Sequence, residues 1–331
     1  MLNDETSGAS TRRAFAKYGG AVALGGLLAG CTGGESDSPA DDAEGSGPSD
    51  DGSGGSSGEP DETGDGSYTA SISPTGEVTF ESPPETVFTR LTHHAGMAFA
   101  LGKGEGVTAL HAPDYYDGLW NQFVERLPGV SLDWSGLYSS WQPDKEKLYE
   151  LDSDVHLADP AWITRQDAWS RDDIDEIGER VSPWFGNSLS DRHQEPTGEW
   201  ADGYQYYGLW EQFEIVADAF RERERYEALA TVREDLLATI DERLPPESER
   251  PTAIMVAAAD IEQIYAYTLS NPGFLTSHTR PLGPRDAFEG SVDSGTVVDF
   301  ETILEADPDV ILYLGGFEPG TDMAGRRAAF E

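Results

Sequence analysis

The chain writes one acidic segment twice. "DKEKLYELDSDVHL" at 144–157 returns as "DFETILEADPDVIL" at 299–312, 155 residues later, with seven of fourteen positions identical and no gap. The shared residues are Asp144/Asp299, Glu146/Glu301, Glu150/Glu305, Asp152/Asp307, Asp154/Asp309, Val155/Val310 and Leu157/Leu312. Chance would give roughly one or two matches even in so acidic a chain, so the echo calls for a structural cause. Each copy reads as a short helix capped by Asp144 or Asp299, with Leu148/Ile303 and Leu151/Ala306 facing inward. An Asp-x-Asp turn then leads into the strand "VHL" or "VILYL".

The segments around the copies fit the same grammar. "YTASISPTGEVTFES" (68–82) reads as a hairpin, "VFTRL" (87–91) as a strand, "THHAG" as a loop, "MAFALG" (97–102) as a helix and "GVTAL" (106–110) as a second strand. Strands alternating with helices imply α/β lobes with parallel-type sheets. Between the copies runs a long helical stretch. Leu209, Phe213, Val216 and Phe220 recur at helical spacing, and Leu229, Val232, Leu236, Ile240 and Leu244 form one further stripe. "PPESERP" breaks it before the apolar strand "TAIMVAAA" (252–259). The expected organisation is an N-terminal α/β lobe over 68–205, a helical spine over 206–246 and a C-terminal α/β lobe over 251–331.

The first 67 residues are of another kind. Arg12, Arg13 and Lys17 precede the apolar run "YGGAVALGGLLAG" (18–30), too short for a spanning helix, which needs about 20 residues. This reads as an export signal, and the paired arginines resemble a twin-arginine signal. Leu28-Ala29-Gly30-Cys31 resembles a lipobox, with Cys31, the single cysteine, as the lipid-bearing residue after cleavage of the signal at 1–31. Residues 32–67 hold no aromatic or branched aliphatic side chain and read as a disordered acidic Gly/Ser tether. The implied place is the outer face of the cytoplasmic membrane.

Net charge narrows the partners. The chain carries 62 acidic and 22 basic residues, a formal charge of −40. That balance argues against nucleic acid or anionic lipid as a partner and fits an extreme halophile. An acidic surface built for a basic ligand is the alternative.

On the paired Glu-x-hydrophobic-…-Asp-x-Asp-Val segments flanking a helix, together with the lipoprotein signal, the chain resembles the substrate-binding proteins of ABC importers for iron-siderophores, haem and vitamin B12. The resemblance runs from about residue 83 onward. It implies two α/β lobes joined by a long spine helix, with ligand in the cleft between them. It also implies an ABC permease and its ATPase as partners, with Glu146 and Glu301 each received by a permease arginine. The alternative for both glutamates is an ordinary solvated first-turn acid. The implied ligand is a ferric siderophore, with cobalamin, haem or free metal as alternatives; no cofactor is implied.

Ligands of open α/β sheets sit beyond the carboxyl ends of strands. That rule selects Thr92, His93 and His94, then His111, Asp114, Tyr115 and Tyr116, then Trp134, Trp141 and Trp162. The second lobe offers Tyr265, Tyr267, His278, Arg280 and Arg285. Aromatics with a few cations suit a bulky ligand with an apolar body and an anionic rim. Several of the tryptophans are as well suited to a core, and the arginines to pairing with local acids. His156, inside a strand, reads as core, whereas either of His93 and His94 stands where a haem iron would be reached. No nucleophile elbow, phosphate loop or His-Glu-x-x-His occurs, so no enzyme is expected, a tethered surface hydrolase being the rival. After Leu312 only nineteen residues remain, so the second lobe is expected to be truncated and "VILYL" to keep an open edge.

Overall fold

β1 (Tyr68–Ile72) and β2 (Gly76–Phe80) form an antiparallel hairpin that lays Tyr68, Ile72, Val78 and Phe80 into the first core. Beyond it the N-terminal lobe builds one parallel sheet. Strands β3 (Val87–Thr89), β4 (Val107–Leu110), β5 (Tyr138–Ser139) and β6 (Val155–Leu157) lie in the order β5-β4-β3-β6. Around it stand α1 (Thr92–Ala100), α2 (Pro113–Val124), α3 (Lys145–Leu151), α4 (Pro160–Ile163) and α5 (Arg171–Arg180). The computed structural model describes residues 66–192, 194–260, 263–314 and 322–330. The signal, Cys31, nearly all of the tether and His193 lie outside the described residues.

The helical stretch between the two sheets is two helices. α6 (Leu209–Ala219) buries Phe213, Val216, Ala217 and Ala219, and α7 (Arg223–Asp241) follows after a bend. Arg221 takes a left-handed φ of 52°, and the Glu222 N–H reaches back to the Ala217 carbonyl at 2.9 Å, a helix-ending pattern that the apolar stripe alone did not foretell. Arg223 then fastens the bend, donating to Glu214 and Asp218 at 2.6 Å each. Leu229 packs on the core, but Val232 and Leu236 are 66% and 57% exposed, so the expected stripe is only partly covered.

The C-terminal lobe holds β7 (Thr252–Asp260), β8 (Gln263–Tyr267), β9 (Arg285–Asp286), β10 (Thr296–Val298) and β11 (Val310–Leu314), with α8 (Phe300–Ala306) and α9 (Met323–Phe330). Its sheet is mixed, not wholly parallel: β7 pairs in parallel with β9 and β11, while β8 runs antiparallel to both β7 and β10. Residues 260 and 263 already pair, and so short a connection permits only an antiparallel neighbour. Among the described residues β11 has β7 on one side and no strand on the other.

The repeated segment now has its reason. Asp144 caps α3 through the N–H groups of Glu146 and Lys147, and Asp299 caps α8 through that of Thr302. Asp152 and Asp307 close the same helices in left-handed conformation, at φ 45° and 43°. Asp154 Oδ2 accepts from the Thr86 N–H and hydroxyl at 2.8 and 2.9 Å, and Asp309 Oδ2 accepts the same pair from Thr252 at 2.8 Å each. Each clasp ties the start of the returning strand to the start of its parallel neighbour, β3 or β7. The surroundings differ: Val155 is 1% exposed and Val310 39%.

One boundary moved. α1 begins at Thr92, five residues ahead of the expected helix, and so includes both histidines. Gly96, which suggests a loop by sequence, sits inside it because a Cβ there would stand 2.7 Å from the Trp120 ring.

Candidate functional site

The carboxyl ends of β3, β4, β5 and β6 converge on one buried cation. Arg90, directly after β3, is 1% exposed. Its guanidinium carbon lies 2.9 Å from the centre of the Trp162 ring and 4.4 Å from that of Trp141, and its Nε donates to the Trp141 carbonyl at 3.3 Å. Among the described residues neither Nη1 nor Nη2 has a hydrogen-bond partner. Burial pushes the guanidinium down to about 9, against the pull of Asp159 and Asp191. Asp159 does not neutralise it directly, for its carboxylate already accepts from the N–H groups of Ala161, Ser188 and Leu189 and from the Tyr204 hydroxyl.

Aromatic and imidazole rings wall this cation. Trp141, after β5, is 45% exposed; its ring lies 4.5 Å from that of His111, after β4, and 5.7 Å from that of Trp162 on α4. Tyr116 stands 5.8 Å from His111, and Tyr115 4.8 Å from Tyr116. His93 and His94, in the first turn of α1, lie 3.9 Å apart between ring centres, tilted at 41°. Burial pushes His93 down to about 3 and His94 well below the ordinary imidazole value, so both are neutral. From the other lobe, the Phe274 ring meets His93 at 4.6 Å. Tyr267, on β8, is half-buried near enough to Asp191 for that charge, after burial and Tyr265, to raise its phenol.

The expected residues thus divide. Thr92, His93, His94, Tyr115, Tyr116, His111, Trp141 and Trp162 are brought to one edge of the N-terminal sheet. Trp134 is core, its Nε1 donating to the Gly104 carbonyl at 3.4 Å. His156 is core as well, its Nδ1 paired with the Ser182 carbonyl at 3.0 Å. Arg280 spends Nη1 on the Asn271 and Gly273 carbonyls and on the Thr276 hydroxyl. Arg285 lies at the opposite end of its sheet, beside the first residues of β7, with Nε on the Arg250 carbonyl at 2.8 Å. His278 is exposed. Arg90 and Phe274 were missed; the one signal for Arg90 was a cation placed inside the otherwise uncharged strand "VFTRL".

An arrangement of this kind, two lobes with aromatics and a buried cation at the carboxyl edge of one sheet, suits binding rather than bond-making. The family model described as "Periplasmic binding protein" matches residues 136–325, more than half of the chain and both copies of the acidic segment. The chain belongs to the periplasmic binding protein family. It is a solute-binding protein.

Solved structures similar to this periplasmic binding protein share its fold at low identity. The iron uptake ABC transporter substrate-binding protein PiuA from Streptococcus pneumoniae is 18% identical, with a TM-score of 0.51 over 74% of this chain and 76% of that one. The petrobactin-binding protein YclQ from Bacillus subtilis is 14% identical, with a TM-score of 0.53 over 80% and 84%. The siderophore-binding protein BauB, solved with two acinetobactin molecules and ferric iron, is 15% identical, with a TM-score of 0.52 over 78% and 82%. No curated protein matches the sequence. Among the described residues no helix is long and apolar enough to cross a membrane, and no group of three or more His, Cys, Asp or Glu is placed to hold a metal ion.

Proposed function

We propose that this periplasmic binding protein captures a ferric siderophore and delivers it to an ABC permease and its ATPase. The observation that carries this reading is Arg90, a buried guanidinium whose Nη edge has no acceptor among the described residues, set in a wall of Trp141, Trp162, His111 and Tyr116. A carboxylate, phenolate or hydroxamate oxygen on a bulky chelate satisfies that edge, and the rings take the chelate's apolar body. One fold relative is named for iron uptake and another for siderophore binding, which supports the class of ligand. Cobalamin, haem and free metal remain the alternative ligands of the same class. The test is unfolding of the full chain in molar salt with ferric hydroxamates, ferric catecholates, haem, cobalamin and free metals. A true ligand at a hundredfold excess over Kd adds about 2.7 kcal/mol. A folded protein that answers only to haem or cobalamin overturns the siderophore reading.

The reading assigns no catalysis. The polar neighbours of His93 and His94 are Gln212 and the Asn187 carbonyl, and Asp159 is occupied by four donors. No nucleophile–base pair is assembled with these histidines among the described residues, which weighs against a surface hydrolase. The reading also keeps Cys31 as the lipidated residue that anchors the chain to the outer membrane face on its acidic tether, and a halophilic setting for its charge.

Glu146 and Glu301 are the proposed docking residues. Every other echoed acid of the first copy has a local task, whereas Glu146 and Glu301 are exposed and make no side-chain hydrogen bond or ion pair among the described residues. Glu146 stands on the wall of an open groove of about 800 Å³ shared with Arg165, Gln166 and Trp169. Its neighbour Lys145 is taken by Asp173 and Glu176 at 2.5 and 2.8 Å, and Lys147 by Glu150 at 2.9 Å, so neither quenches it. At about 1 M salt the Debye length is ~3 Å, so docking depends on close contact. Reversing both charges, Glu146→Lys with Glu301→Lys, is expected to lower ligand uptake in cells by roughly tenfold or more, the equivalent of one charge-assisted pair, while purified protein binds ligand unchanged. Weakened ligand binding by the double variant would remove the docking assignment.

A further inference from the structure

The two lobes meet at a short seam beside the binding site. On the N-terminal side stands the turn from Ser188 to Arg192, and on the C-terminal side the loop from Asn271 to Phe274. Asn271 Nδ2 donates to the Arg192 carbonyl at 3.1 Å, and the Phe274 ring rests on His93. Between these contacts Gly273 is buried against backbone. A Cβ there would stand 2.0 Å from the Asp191 carbonyl oxygen and 2.4 Å from its carbon. Ordinary contacts between such atoms begin near ~3.5 Å, so no side chain fits without moving one lobe from the other.

Both sides of the seam are built rigidly. The Gly273 N–H donates to Asn271 Oδ1 at 2.7 Å, and the Thr276 hydroxyl to the Asn271 carbonyl at 2.8 Å. Arg280 Nη1 holds the carbonyls of Asn271 and Gly273 at 3.0 and 2.5 Å. Across the seam, Asp159 Oδ2 holds the Ser188 and Leu189 N–H groups, and Asn187 Oδ1 takes the Ser190 hydroxyl at 2.5 Å. A contact between two loose loops yields to whatever enters the cleft. One between two preformed loops acts as a mechanical stop, because packed backbone has discrete arrangements and does not deform smoothly.

We propose that Gly273 is a specificity-determining residue: its contact with Asp191 sets how closely the lobes approach, and so the size of chelate that both walls grip. The selection of chelates rests on the ligand reading above; the stop itself does not. A side chain at 273 wedges the lobes apart, costing a small ligand one of its walls and leaving a large one its contacts.

The test uses the full chain in a Cys31→Ser background with spin labels on Lys147→Cys and Thr302→Cys, one on each lobe. Gly273→Val is expected to move the ligand-free interlobe distance outward by at least the ~1.5 Å that relieves the contact. It should weaken binding of ferric citrate about tenfold or more, and leave a bulky ferric tris-catecholate unchanged or tighter. Gly273→Ala serves if the valine variant does not unfold cooperatively. Asn271→Ala, which removes the crossing hydrogen bond without adding bulk, should broaden the distance distribution without shifting its mean. A folded valine or alanine variant with an unchanged distance overturns the proposal, as does an equal loss of both chelates. A distance that moves while neither these chelates nor a ferric hydroxamate binds even the unsubstituted chain leaves the stop standing and removes the ligand reading.

Discussion

Arg90→Met is expected to make the protein more stable and nearly useless at the same time. The substitution removes a buried cation whose Nη groups have no partner among the described residues, and fills the space against Trp162 with an apolar chain. Replacing buried charge by well-packed apolar atoms is worth about 1–3 kcal/mol, even after losing the cation–π contacts and the Nε hydrogen bond. Binding of an anionic chelate should fall by about 2–5 kcal/mol, ~30-fold to several thousandfold. Chemical denaturation and ligand titration of the same preparation read both signs. Arg90→Lys keeps the charge but not the fork, and should fall between. If Arg90→Met destabilises the protein and binds as before, the guanidinium is a structural group and the site lies elsewhere.

Mild acid should destabilise this protein before its carboxylates titrate. His94 and His156 are fully buried and His93 is partly so, and all three are neutral; burial holds His93 down to about 3 and His156 to about 4, and His94 well below its ordinary value. Below pH 6.5 the unfolded chain takes up three protons that the folded chain refuses, so stability is greatest above 6.5 and falls as pH drops toward 4. Each imidazole contributes about 1.4 kcal/mol of loss at pH 5.5, or roughly 4 kcal/mol together, against a typical total of 5–15. Asp159 runs the other way, because burial favours its protonated form, and blunts the fall at lower pH. Denaturation at pH 7.5, 6.5 and 5.5 measures the slope. His94→Leu should remove about a third of it, since that ring has no hydrogen-bond partner among the described residues. An unchanged slope would mean that the acid sensitivity belongs to other groups.

The sequence was most informative where backbone geometry demands a particular residue. Asp144 read as a cap and Asp152-x-Asp154 as a turn because few residues serve those conformations, and their repetition exposed the two lobes; the left-handed stop at Asp152 and the clasp of Asp154 came only with the structure. It was least informative where the same residue type serves two masters. Trp134 and Trp141 stand seven positions apart and look alike on paper. Only the folded chain brings Gly104, Phe99 and Trp120 around the first and leaves the second 45% exposed. Arg280 and Arg285 looked like free cations because the carbonyls that occupy them belong to backbone, which sequence patterns do not record. Arg90 was hidden for the opposite reason, since a strand reading absorbs one polar residue without protest. The bend at Arg221 arose from tertiary packing: Phe220 enters the core there, and the helix turns to allow it.

The threonine–aspartate clasps at Thr86/Asp154 and Thr252/Asp309 have a consequence for how such a protein changes over time. They tie one parallel strand pair in each sheet at its amino end, in the first lobe the edge away from Arg90. For these two strand pairs, alignment is held without help from the loops at the opposite edge. On the proposed function, the loops bearing His111, Trp141 and Trp162 can be rewritten, lengthened or exchanged for a new ligand while these strand pairs still assemble. Constancy at one rim is what permits novelty at the other.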